Sequence, residues 1–385
     1  MSERFGKPMI DLLILVEDPG AANFAAALPA CLRALGYDAE LHARGHAVAR
    51  LRELDVPCQS GESEPDALLR ASGARAVAVG TAEDPDCAGL ALISSAQRRG
   101  IASIGLVDGP ANADLRFRGR GASALAHAPD WLAVPDAGSR RRYAALGFPA
   151  ARILACGHPH FDRVRRSGTL LTCEGRQAVR TRLFPDAGQR RLLVFLSELS
   201  DGLSPERYRV SDAYTLTGRG SIGRTEIVLE EVLDAIAMLP ERPYVVLRLH
   251  PKNGDADYAR YAGEVDRFSR GEAAPDVVFA ADLVVGLSTV LLDEAAILGA
   301  PTLAVLPRRS EVDWLQSVGW GATHAVSERT DLRRSLPRLL QGERPAGPIE
   351  LPPPGAEARL AAFVADVLSG GKRSTAAASL TSGSN

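Results

Sequence analysis

Residues Asp282 to Pro301 read Asp-Leu-Val-Val-Gly-Leu-Ser-Thr-Val-Leu-Leu-Asp-Glu-Ala-Ala-Ile-Leu-Gly-Ala-Pro. This stretch constrains the fold more than any other. A short apolar run meets a Gly-Leu-Ser-Thr turn, then a run with helical spacing, then Gly-Ala-Pro and a new apolar run. The order is strand, turn, helix, strand, as in a parallel β-α-β unit. A helix that starts just past a strand end presents unpaired N–H groups and a positive dipole end, which suits a phosphate. Glu294, a turn or more into that helix, is placed to hydrogen-bond ribose hydroxyls. Upstream, Leu247-Arg-Leu-His-Pro251 ends a strand, because Pro251 cannot continue a ladder. The two segments together predict a nucleotide site in the second half of the chain.

The rest of the chain repeats the alternation. Strands are expected at Met9 to Val16, Ala39 to His42, Ala76 to Gly80, Ser103 to Val107, Trp131 to Val134 and Ile153 to Ala155. Helices are expected at Asn23 to Leu35, Ala47 to Leu54 and Asp86 to Arg99. From Val164 to Gln189 the pattern is lost apart from one helix at Gly175 to Leu183, so this polar, basic stretch reads as a connection. Strands then resume at Arg191 to Leu196, Tyr244 to Leu249, Val277 to Ala280, Leu283 to Val285 and Thr302 to Leu306, with helices at Thr225 to Leu239 and Leu291 to Leu298. The expected fold class is α/β, with two doubly wound Rossmann-like domains facing across a cleft and a C-terminal helix. The boundaries are 1–165 for an acceptor domain, 166–190 for the connection, 191–350 for a nucleotide-donor domain, 351–368 for the final helix and 369–385 for a disordered tail of Ser, Thr, Ala and Gly.

Composition narrows the function classes. A net charge of −2 gives no reason to expect nucleic acid as a partner. Five scattered cysteines lack metal-ligand spacing and read as reduced thiols. The polar start is unlike a signal peptide, and no apolar run approaches the roughly 18 residues of a membrane span. The expectation is a cytoplasmic protein, compatible with a peripheral membrane contact, of open oligomeric state.

The architecture resembles the GT-B glycosyltransferase superfamily, which includes the UDP-N-acetylglucosamine 2-epimerases. The likeness spans roughly residues 9 to 368, and its sharp part is short. Leu247-Arg-Leu-His-Pro251 is similar to the His-Pro motif of bacterial sialyltransferases, capsule transferases and glycerophosphotransferases, whose His contacts the donor phosphate or nucleotide. Gly286-Leu-Ser-Thr289 with Glu294-Ala295 and Gly299-Ala-Pro301 is similar to the donor-phosphate turn and ribose-binding Glu of GT-B enzymes. Gly105-Leu-Val-Asp-Gly109 resembles the acidic-acidic-Gly motif of bacterial sialyltransferases, whose second acid is the base; Val107 stands where the first acid belongs. The epimerases carry Ser-Gly-Gly before their Glu-Glu, where this chain has Leu-Ser-Thr-Val-Leu-Leu-Asp-Glu.

The candidate site residues follow. His250, with Arg248 and Lys252 beside it, is a phosphate donor or a strand-capping His. Ser288 and Thr289 are phosphate ligands, plain N-caps, or both. Glu294 is a ribose ligand or a solvated acid next to Asp293. Asp108 at a strand end is the acceptor base or a turn Asp, and Asp18, with Gly20 permitting close backbone approach, is its rival. Ser197 and Glu198 end the first strand of the second half and point at the same edge. The loop from Ser200 to Arg224, with Arg207, Arg209, Arg219 and Arg224, is a lid over an anionic donor or a disordered excursion. His158 and His160 with Asp162 fit a hinge or cleft edge better than a metal, and Arg308-Arg309 is a phosphate contact or, in the favoured reading, a solvated pair. No Asp-x-Asp motif stands at a strand end, so neither a metal ion nor a separate cofactor is expected. The resemblance implies transfer of a sugar from a nucleotide-activated donor to a saccharide or glycoconjugate acceptor in bacterial surface-polysaccharide assembly. A UDP-HexNAc 2-epimerase, a polyol-phosphate transferase and a non-catalytic nucleotide-binding protein stay open beside it.

Overall fold

The computed structural model describes residues 9–199, 205–344 and 347–370, and structural statements refer to these. The chain divides into two compact units. The first comprises residues 1–160 and 354–385, and the second residues 161–353.

The first unit holds a seven-stranded parallel sheet. Its strands are β1 (Leu12–Val16), β2 (Ala39–Ala43), β3 (Gln59–Ser60), β4 (Ala76–Gly80), β5 (Ala102–Leu106), β6 (Trp131–Val134) and β7 (Ile153–Ala155), in the order β3-β2-β1-β4-β5-β6-β7. Its helices are α1 (Pro19–Ala25), α2 (Leu28–Ala34), α3 (Gly45–Glu53), α4 (Pro65–Ser72), α5 (Ala88–Arg98) and α6 (Ala137–Ala145). The five residues of β1, Leu-Leu-Ile-Leu-Val, are all buried, as a parallel strand covered on both faces requires. Side chains alternate across a strand. Leu12, Ile14 and Val16 therefore enter one core, and Leu13 and Leu15 enter a second core on the other face.

Within the stretch expected to be a connection, α8 (Arg176–Leu183) matches the helix expected at Gly175 to Leu183, and α7 (Pro159–Glu174) was not expected. Its Arg-rich composition hid the stripe of Phe161, Val164 and Leu171, which are buried.

The second unit continues with β8 (Leu192–Leu196), α9 (Pro205–Tyr208), α10 (Arg224–Ala237), β9 (Tyr244–Arg248), β10 (Arg267–Ser269), α11 (Ala274–Ala280), β11 (Leu283–Gly286), α12 (Val290–Ile297), β12 (Thr302–Val305), α13 (Gln316–Gly319), β13 (Thr323–Val326) and α14 (Arg329–Leu340). Its six strands are parallel in the order β10-β9-β8-β11-β12-β13. In each sheet the first strand lies between its second and fourth, and the order reverses there. In open α/β sheets, ligands bind beyond the strand carboxyl ends at such a reversal.

Two local readings are corrected. Asn23 to Leu35 is two helices, α1 and α2, because Pro29 lacks an N–H and sits in the first turn of the second. Val277 to Ala280, expected as a strand, belongs to helix α11. Four consecutive buried apolar residues do not by themselves separate a strand from a buried helix, and Pro275 starts this one.

The final helix, α15 (Ala356–Leu368), belongs to the first unit, where Leu360, Ala361, Val364 and Leu368 enter the core around β1. Of the tail expected to be disordered, residues 371–385 lie outside the described residues. Among the described residues no helix is long and apolar enough to cross a membrane.

Candidate functional site

In the second unit, β8 ends in Ser197-Glu198, and these two residues tie the neighbouring strand ends together. Ser197 Oγ accepts from the His250 N–H at 2.8 Å, beyond the end of β9. The same hydroxyl donates to Asn253 Oδ1 at 3.2 Å. On the other side, Glu198 Oε1 accepts from the Ser288 N–H at 2.5 Å, and Ser288 Oγ lies 3.2 Å from Oε2. His250 Nδ1 accepts from the Lys252 N–H at 3.2 Å, which in the neutral ring puts the hydrogen on Nε2. Thr289 is the N-cap of α12, and its hydroxyl accepts from the Leu291 N–H at 3.3 Å. The structure therefore brings Ser197, Glu198, His250, Ser288 and Thr289 to one edge.

Arg248 and Glu294, predicted at this edge, are largely covered. Arg248 turns to β10, donating to Ser269 Oγ at 3.0 Å and to Glu272 at 2.8 and 3.2 Å. Glu294 is buried at 3 % exposure in the body of α12, and Asp293 accepts from the Ser317 N–H at 2.8 Å. Arg308 pairs with Glu311 and Arg309 with Glu328.

A residue expected only as part of a loop holds the edge together. Arg224, the first residue of α10, is fully buried. Its guanidinium reaches Glu198 Oε2 at 2.7 Å, Ser288 Oγ at 3.1 Å and Glu311 Oε2 at 2.6 Å, and stacks over Trp314. Glu311, also fully buried, takes Arg308 Nε at 2.6 Å. Burial works against the charge on Arg224, but Glu311 and Glu198 outweigh it and raise its pKa. Ionic groups at zero exposure are tolerated only when paired in this way. The sequence signal was a single Arg before an apolar helix.

Where it is described, the end of the loop ahead of Arg224 is tied to α10. Glu231 Oε1 accepts from the Gly218 N–H at 3.0 Å, and Glu230 accepts from the Arg219 N–H and Ser221 Oγ at 2.6 Å each. Arg219 bonds both Asp234 and Glu264. Residues 200–204 lie outside the described residues.

In the first unit, Asp108 stands two residues beyond β5, and Arg116 holds it. Arg116 Nη1 lies 2.6 Å from Asp108 Oδ1 and 2.8 Å from Thr81 Oγ1, past the end of β4. Burial opposes the Arg116 charge and Asp108 restores it, so its pKa is raised. The second carboxylate oxygen lies against Gly20 in α1, where a Cβ would sit 1.9 Å from Oδ2. Asp18 is the N-cap residue of α1. Glu17, beside it, accepts from the Gly89 N–H at the start of α5 at 3.2 Å, and burial holds its carboxyl above the usual range. Asn112, in the loop between Asp108 and Arg116, adopts a positive φ of 50° and donates to Glu83 at 3.0 Å. Asp18, Gly20 and Asp108 thus share the crossover edge of their sheet, with Arg116 and Thr81 added. His158 and His160 are buried, the His160 N–H donating to His158 Nδ1 at 3.3 Å. Among the described residues no group of three or more His, Cys, Asp or Glu side chains is placed to hold a metal ion.

Two doubly wound parallel sheets in series, closed by a C-terminal helix, place the chain in the GT-B fold class. It is similar in structure to UDP-GlcNAc 2-epimerase from Neisseria meningitidis, solved bound to UDP-GlcNAc, with a TM-score of 0.63 at 13% identity over 94% of this chain and 99% of that one. It is also similar to MnaA of S. aureus, solved with UDP, with a TM-score of 0.65 at 10% identity over 94% and 97%. For the wall teichoic acid polymerase TagF the TM-score is 0.52 at 12% identity over 94% and 90%. No protein-family model and no curated protein matches the sequence.

Proposed function

We propose that the second unit binds a nucleotide-activated sugar and that the protein transfers the sugar to a hydroxyl acceptor in surface-polysaccharide or glycoconjugate assembly. The observation that carries this reading is the Ser197-Glu198 bridge. One dipeptide at the sheet crossover fixes both the His250 turn and the Ser288-Thr289 turn. The His250 turn and the start of α12 then lie at the crossover edge, where in this reading a leaving diphosphate would gather charge. In the transfer, the acceptor oxygen attacks the anomeric carbon and the bond from that carbon to the phosphate oxygen breaks. Nucleoside diphosphate leaves, and a carboxylate takes the acceptor's proton. Asp108 is our assignment for that carboxylate, with Arg116 as the group that orients it. All charge-stabilising groups in this scheme are protein donors, so activity should persist in EDTA.

A second reading, sugar-nucleotide 2-epimerisation, is favoured by the near full-length likeness to two proteins of that kind. It predicts an epimer from UDP-GlcNAc with no acceptor present. The first test is a thermal-shift panel of UDP, GDP, CDP, CMP and dTDP on the wild type and His250→Ala. A ligand at about 100 times its Kd stabilises by roughly 2.7 kcal/mol. One nucleotide should shift the wild type and lose its effect in the variant. No shift with any of them sinks the reading.

A further inference from the structure

We infer that the Glu198 carboxylate is an internal stand-in for a ligand phosphate: the two exchange on one set of donors, the Ser288 N–H, the Ser288 hydroxyl and the Arg224 guanidinium. The inference rests on the nucleotide reading above and reverses the sign expected for Glu198, a ligand-binding residue on sequence grounds. Glu198 is held as an anion would be. One oxygen takes the Ser288 N–H, and the other takes Arg224 Nη1 at 2.7 Å and lies 3.2 Å from Ser288 Oγ. The same Ser288 N–H cannot serve a phosphate while Glu198 is in place, and two anions cannot share the slot without repulsion.

The surroundings permit the exchange. Arg224 keeps Glu311 on its far side, at 2.6 and 3.1 Å, and stays over Trp314, so it remains fixed and charged when Glu198 leaves. The chain Glu198, Arg224, Glu311, Arg308 is neutral as it stands. Without Glu198 it carries one net positive charge, facing Ser288, which a phosphate would meet. Glu198 can also leave by rotating its side chain alone. Its main-chain oxygen stays held by Thr225 Oγ1 at 3.0 Å and Tyr258 OH at 3.4 Å, while the side chain is already 12% exposed.

The test is calorimetric titration of the full chain with UDP, GDP, CDP, dTDP and inorganic pyrophosphate, using wild type, Glu198→Gln and Glu198→Ala. The nucleotide that binds the wild type should bind both variants about tenfold or more tightly, the scale of one charged hydrogen bond no longer competed for. Pyrophosphate should move the same way. Nucleotide binding seen only after the charge is removed also supports the exchange. Binding by the wild type that is unchanged or weaker in Glu198→Gln overturns the exchange and leaves the nucleotide reading standing. No binding by any of the three proteins overturns both. Glu198→Gln is nearly isosteric and keeps an oxygen for the Ser288 N–H, so its melting curve separates an effect on the slot from a failure to fold.

Discussion

Replacing Gly20 by Ala tests how Asp108 is held, and the structure supplies both halves of the calculation. Gly20 is the second residue of α1, where the helix-interior gain of about 0.5–1 kcal/mol for this change is an upper bound. Here the new Cβ would lie 1.9 Å from Asp108 Oδ2 and 3.0 Å from its Cγ, so the carboxylate must move. Moving it breaks the 2.6 Å contact with buried Arg116. A hydrogen bond to a charged group is worth about 1.5–3 kcal/mol. Gly20→Ala should therefore destabilise the protein by about 1–2 kcal/mol. In an Asp108→Ala background the nearest remaining atom is the residue 108 Cβ, 3.7 Å away, an ordinary contact. There the same change should be neutral to stabilising, which gives a coupling of about 1–3 kcal/mol between the two sites. Equilibrium urea unfolding of the four proteins in the cycle measures it. A coupling below about 0.5 kcal/mol would refute the claim that Gly20 is required by the Asp108 carboxylate.

Two further outcomes follow from buried charge. Removing Glu311 leaves fully buried Arg224 with Glu198 as its one carboxylate partner and takes the Nε partner of Arg308, so Glu311→Ala should cost about 3 kcal/mol in urea unfolding; a loss under about 1 kcal/mol contradicts the buried network. Burial raises the Glu17 pKa above 4.5, so the folded state favours its protonated form; that stabilisation is full below the unfolded value and disappears as pH rises through the folded one. The melting temperature of Glu17→Gln should therefore gain on the wild type from pH 4 to pH 7, and a constant difference refutes the assignment.

The central strands were legible because parallel strands buried on both faces are runs of branched apolar residues, as in Leu12–Val16 and Leu192–Leu196, whereas the short outer strands β3, β10 and β13 carry no such run and were not expected. The Gly286-Leu-Ser-Thr289 turn was legible because its spacing forces a helix start after a strand end. Pairings across the sheet were not. Nothing local to Glu198 says that its partners are Ser288, 90 positions on, and Arg224, 26 positions on. The same holds for Arg248, which the motif assigned to phosphate and which Ser269 at the end of β10 and Glu272 beyond it capture. Charged residues next to apolar runs, Leu115-Arg-Phe117 and Arg224 before α10, were the available hints, since a charge folded into a core must find a counterion.

The return of α15 to the first unit has a consequence for biosynthesis. Leu360 and Val364 complete a core that begins with Leu12, yet the whole second unit is translated between them. At about 5–20 residues per second, the ribosome spends roughly 10–40 s on that interval. During it, the apolar face of α2 that α15 will cover is without its lid, while the second unit can close on its own. The amino-terminal unit is thus the last to finish, and a nascent chain cut at residue 353 would carry a complete second unit beside an unfinished first one.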